Sequence, residues 1–151
     1  FSVDSDSKLI DQSFIDDAKE ILNDKNIWVC GTVGAFFKGW VHGMHVDVND
    51  DSNYEGEVDT LAGCCQIFRK EILNHIWIDL DFAPFWYEDT DFCFQAKVNG
   101  GKIYRFHFNN KFHHVWGGSG NQIFGNKLFE EKHKIMLKKW KNNKDLKLMH
   151  I

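Results

Sequence analysis

The chain has 151 residues, of which 43% are hydrophobic, 15% aromatic and 26% charged. That size suits one folded unit, and the composition excludes a disordered or fibrous chain. The net charge of −4 is unevenly placed: Lys127 to Ile151 holds eight lysines against three acids, +5, which leaves −9 on the rest. An acidic body with a basic tail does not point to a nucleic-acid binder. No apolar run reaches the roughly 18 residues of a membrane span, and no basic region followed by an apolar stretch marks a signal peptide. Cys30, Cys64, Cys65 and Cys93 form no CxxC pair, so buried thiols in a reduced, cytoplasmic chain are expected.

In chain order, FSV predicts the end of a buried strand that runs into DSDS. Ser13 and Asp16 form a capping-box-like start to a helix with Phe14, Ala18, Ile21 and Leu22 on one face. Ile27 to Gly34 predicts a buried strand, Trp40 to Val48 an irregular hairpin, and Asp47 to Glu57 an acidic loop. CCQIF predicts a second buried strand, followed by a short helix at Arg69 to Asn74 and a loop at IDLDFAPF. Glu88 to Asn99 is a predicted helix stopped by Gly100 and Gly101. Lys102 to Phe108 alternates as a strand, WGGSGN is a loop, and Phe129, His133, Met136 and Trp140 mark one face of a last helix. Strands separated by helices define an α/β sheet, whose ligands sit beyond the carboxyl ends of strands.

Two acidic groups carry candidate chemistry. Asp4 and Asp6 lie two apart in an extended segment and share a side, an arrangement that suits a hard divalent cation; the same residues also serve turns and helix caps. In FWYEDTDFCF, the acids Glu88, Asp89 and Asp91 sit among aromatics at a helix start, where the dipole favours ionised carboxylates. One such carboxylate is a candidate general base.

The order VDSD, IWVCGTVG, VDTLAGCCQIFRKEIL, EDTDFCFQAKVNGGKIYRF and HHVWGGSG resembles the later half of family-2 glycosyltransferases with the GT-A fold, over roughly residues 1–120. The resemblance implies a GT-A-like mixed sheet flanked by helices, with residues 121–151 forming a basic amphipathic helix and tail. It implies that Asp4 and Asp6 bind Mn²⁺ or Mg²⁺ and, through it, the diphosphate of a UDP- or GDP-linked sugar. His114, with His113 beside it as the alternative, would complete the metal shell. Asp89 would be the base, with Glu88 and Asp91 orienting it or holding the acceptor, and Gly63 would let backbone approach the sugar. Trp86 and Trp116 are candidate sugar walls, against the alternative of core packing. The acceptor would be a glycan or a lipid-linked sugar, met in the cytoplasm at the inner membrane face. The basic tail would either rest on that membrane or pack its stripe on the domain.

The N-terminal βαβ region that grips the base and ribose in that family has no counterpart in these residues. The first residue is Phe rather than Met, and the chain is expected to be a piece of a longer enzyme or a reduced relative, with dimerisation covering open strand edges. A non-catalytic glycan-binding or interaction module that retains part of the fold is the second reading. A third is a haloacid-dehalogenase-like phosphatase, since a strand followed by DxDS resembles the start of that family and would put an aspartyl-phosphate on Asp4.

Overall fold

A computed structural model of the protein describes residues 2–3, 7–37, 45–48, 54–84, 86–107, 110–114 and 119–149. Short strands β1 (Ser2–Val3) and β2 (Ser7–Leu9) precede helix α1 (Ser13–Ile21). Phe14 and Ala18, one turn apart, are fully buried. The capping role expected of Ser13 falls instead to Asp11, whose Oδ1 accepts the Ser13 N–H at 2.9 Å. This backbone bond lowers the Asp11 pKa, since it favours the ionised form.

The strand expected from Ile27 to Gly34 is two: β3 (Ile27–Gly31) and β4 (Gly34–Phe37). At the break, fully buried Arg105 donates Nε–H to the Thr32 carbonyl at 2.9 Å. A Cβ on Gly34 would lie 3.1 Å from both the Arg105 Cβ and a Val58 methyl, so glycine lets β4 cross at close range. The acidic stretch expected as a loop carries strand at both ends, β5 (His45–Val48) and β6 (Gly56–Val58). Strands β7 (Thr60–Leu61) and β8 (Cys65–Phe68) follow, then 3₁₀ turns at Lys70–Asn74 and Leu80–Phe82.

Helix α2 (Glu88–Val98) stops as its glycines predict. Gly100 has φ 87°, and its N–H and that of Gly101 return to the Lys97 and Ala96 carbonyls at 3.0 and 2.9 Å. Strand β9 (Lys102–Arg105) ends three residues earlier than expected, β10 spans Phe112–His114, and α3 (Ser119–Trp140) takes in the end of the expected WGGSGN loop.

The fold is mixed α/β. A five-stranded sheet runs in the order β1-β8-β3-β9-β6, with β3 parallel to β9 and the other pairs antiparallel. A two-stranded sheet joins β10 to β2, and a three-stranded one orders β5-β4-β7. Strand alternation splits the core. Cys30, Cys65 and Ile67 pack with Phe14 and Ala18 of α1, whereas Val29 and Ile103 pack with Phe92, Cys93 and Ala96 of α2. All four cysteines are buried thiols, Cys30, Cys64 and Cys65 on the α1 side and Cys93 on the α2 side.

Helix α2 is covered on its other side too, where Phe94 meets Phe82, Met136 and Trp140, joined by Leu146 and Leu148. The apolar stripe of α3 is therefore spent on the body of the protein, and residues beyond 120 share a core with those before it. Asp59, fully buried at the break between β6 and β7, closes this arrangement. It pairs with Lys97 Nζ at 3.0 Å and accepts the Phe37 N–H at 2.9 Å and the Met149 N–H at 2.8 Å. Among the described residues no helix is long and apolar enough to cross a membrane.

Candidate functional site at the start of the second helix

The segment entering α2 carries unusual backbone. Trp86 and Tyr87 have φ of 84° and 70°, a left-handed region that costs a bulky residue about 1–3 kcal/mol. Helix α3 supplies the contacts that hold them. Phe129 lies 5.1 Å from the Trp86 ring and 5.3 Å from the Tyr87 ring, and the Tyr87 hydroxyl meets His133 Nδ1 at 2.9 Å. Burial, with the Asp89 charge nearby, pushes the Tyr87 phenol up to about 12. The Trp86 indole N–H is buried and meets no hydrogen-bond partner among the described residues. Trp86 thus packs against α3 edge-on, the core role weighed against that of a sugar wall.

Beyond this turn, Asp89 is the hub. Its Oδ2 accepts the Gly63 N–H at 2.9 Å, and its Oδ1 accepts the Thr90 N–H at 2.6 Å and the Thr90 hydroxyl at 3.2 Å. Buried Gln66 ties the two segments further, donating Nε2–H to the Leu61 carbonyl at 2.9 Å and to the Asp89 carbonyl at 3.4 Å. One residue past Gly63, the Cys64 carbonyl accepts the Ser7 hydroxyl at 3.2 Å. Ser7 stands opposite His114 in the β2–β10 ladder. A continuous run of contacts therefore links His114, Ser7, the Gly63–Cys64 turn and Asp89.

Gly63, Asp89 and His114, singled out separately in the sequence, are brought to this run. His114 is half-buried and His113 exposed, as alternation along β10 requires. Glu88 opens α2, half-buried beside Asp89. Asp4, Asp6 and Trp116 lie outside the described residues, although Ser7 is the neighbour of Asp6 in sequence. Among the described residues no three His, Cys, Asp or Glu side chains form a metal-binding group.

Asp91 departs from its expected place beside Asp89, because residues two apart on a helix lie about 200° apart around its axis. It is fully buried against α3. Lys139 Nζ stands 2.8 Å from its Oδ1 and 3.0 Å from its Oδ2, Trp140 Nε1 donates to it at 2.6 Å, and Gln95 Nε2 at 2.6 Å. Asp79 shares the same lysine at 2.6 Å. That bond holds the Asp79 carboxyl below its ordinary 3.8. Burial alone would lower Lys139, but its bonds to Asp79 and Asp91 outweigh it and raise the ammonium pKa.

Thr90, Gln66 and Ser7 were missed in the sequence. Gln66 had a signal, as a polar side chain inside the buried strand CCQIF.

Chemically, a carboxylate offers about four acceptor directions. Among the described residues, the bonds from Gly63 and Thr90 occupy three, which leaves Oδ2 one direction for a hydrogen bond from a hydroxyl. No protein-family model matches the chain, and no curated protein sequence matches it either.

Proposed function

We propose that the chain carries the acceptor side of a metal-dependent, inverting glycosyltransferase of the GT-A type and family 2. The observation that supports this reading most is the contact run from His114 through Ser7 and Gly63 to Asp89, because it joins positions the resemblance selects one by one. In this reading Asp89 Oδ2 takes the proton of an acceptor hydroxyl. The acceptor oxygen bonds to the anomeric carbon on one face as the bond to the nucleotide diphosphate breaks on the other, and the diphosphate leaves with the electron pair. Gly63 holds the carboxylate in place through its N–H, and the absence of a side chain there leaves backbone open to the sugar.

Asp4, Asp6 and His114 are the residues that would hold Mn²⁺ or Mg²⁺, a carboxylate and imidazole set that suits such an ion. When bound, the ion would offset the charge of the departing diphosphate. The donor is a UDP- or GDP-linked sugar, the acceptor a glycan or a lipid-linked sugar, and the reaction cytoplasmic.

Thermal melting of the chain with Mn²⁺ plus UDP, GDP or their sugar conjugates tests this reading. A ligand that binds only the folded state adds about 2.7 kcal/mol at a hundred times its Kd, so a rise of several degrees is expected. The rise should require the metal and vanish in Asp4→Asn/Asp6→Asn. No rise with any nucleotide would sink the donor site.

A further inference from the structure

Two bulky residues at the entry to α2 hold a backbone conformation that suits neither. Trp86 and Tyr87 take consecutive left-handed angles, φ 84° and 70°, which glycine or asparagine would adopt at little cost. The start of the helix brings no compensation of its own. Tyr87 stands in the capping position and makes no side-chain cap bond, whereas a cap is ordinarily an extended residue with a polar side chain. Backbone held so far from its preferred region persists only where its surroundings fix it, and here the fixing contacts come from α3.

Phe129 meets both rings, and His133 meets the Tyr87 hydroxyl. The two lie one turn apart on α3, their own rings stacked with 8° between planes. Met136 and Trp140 continue the same face and are buried in the body of the protein, so the clamp is carried by a helix that is itself anchored. That helix grips α2 a second time, since Lys139 and Trp140 bind the Asp91 carboxylate. Asp89 stands between the two grips, two residues after Tyr87 and two before Asp91. The Tyr87 carbonyl accepts the Asp91 N–H at 2.7 Å. The angles of Tyr87 therefore set where the first helical turn begins, and with it where the Asp89 carboxylate meets the Gly63 N–H.

We infer that Phe129 and His133 are positioning residues, which hold the left-handed turn from α3 and thereby place the Asp89 carboxylate against Gly63. The consequence for sugar transfer rests on the reading of Asp89 as the base, whereas the placement itself does not.

Hydrogen exchange of the Gly63 amide in the full chain tests the placement without any need for transfer activity, with the core amides of β3 as the reference for global opening. Phe129→Ala should speed Gly63 exchange about tenfold or more relative to β3, and lower kcat for transfer by a similar factor at unchanged KM for the donor. Adding Trp86→Gly should restore most of the protection, because glycine keeps the left-handed angle without the clamp; a role in packing alone would be worsened by the loss of a second ring. Tyr87→Phe deletes only the hydroxyl that meets His133, and should act in the same direction to a smaller degree even if Phe129→Ala does not fold. Unchanged relative exchange in whichever of Phe129→Ala and Tyr87→Phe folds would overturn the inference, as would a loss in Phe129→Ala that Trp86→Gly does not restore. Selective loss with glycine rescue, at unchanged transfer per folded molecule, would uphold the placement and count against Asp89 as the base.

Discussion

Asp89→Asn is expected to lower sugar transfer by about a thousandfold, the loss typical of a removed general base, and to cost about 1–2 kcal/mol of stability. The two losses have separate causes. A neutral amide cannot take the acceptor proton at any useful rate. An amide also has one oxygen where the carboxylate has two, so it cannot accept from both Gly63 and the Thr90 N–H. One of those donors would face an NH₂ group and go unpaired. Transfer assays must therefore be scaled to the folded fraction, measured by urea unfolding of the same preparations. A variant that loses the stability but keeps the scaled activity would make Asp89 a structural link between α2 and the turn after β7, and the proposed base role would fail.

The largest effect on stability is expected at Asp91→Ala, about 3–5 kcal/mol, enough to leave a marginal domain largely unfolded. Truncation strips the buried anion from Lys139, Trp140 and Gln95 together. Gln95 in turn holds the Trp77 backbone, so the damage reaches that segment as well as α3. Acid should weaken the same junction from another side. The depressed Asp79 carboxyl contributes stability that is complete above its unfolded pKa of 3.8 and is lost as pH falls through the lower folded value. Lys139, raised by its partners, contributes below about 10 and loses that contribution only at strongly alkaline pH. Urea unfolding at neutral pH checks the first expectation. A loss under 1 kcal/mol would show that solvent or a shifted Lys139 replaces the anion.

The ends of α2 were legible because the signals are local, acids in the first turn and two glycines after the last. Its setting was not. Thr90 to Ala96 are all buried, and a helix covered on every side shows no stripe from which to read its neighbours. The α3 face was legible in the spacing of Phe129, Met136 and Trp140, since one partner covers one side. Nothing near Asp59 in the sequence announced that Lys97 and Met149 would close on it. The β2–β10 ladder joins residues about a hundred positions apart, beyond the reach of periodicity. Gly63, Asp89 and His114 came from resemblance, but the angular separation of Asp89 and Asp91 could have been worked out from helix geometry alone.

The buried thiols give the protein a means of reporting on its own opening. Burial pushes Cys30 and Cys65 up to about 12, and raises Cys93 as well. Only the thiolate attacks an alkylating reagent, so at neutral pH the folded chain is nearly inert and each modification records an excursion that exposed the sulfur. Because Cys93 stands on α2 itself, packed with Val29 and Ile103 of the sheet, and the other three lie toward α1, the order of labelling separates partings of the sheet from α2 from partings on the α1 side. Equal labelling rates at all four would show that the layers come apart only together.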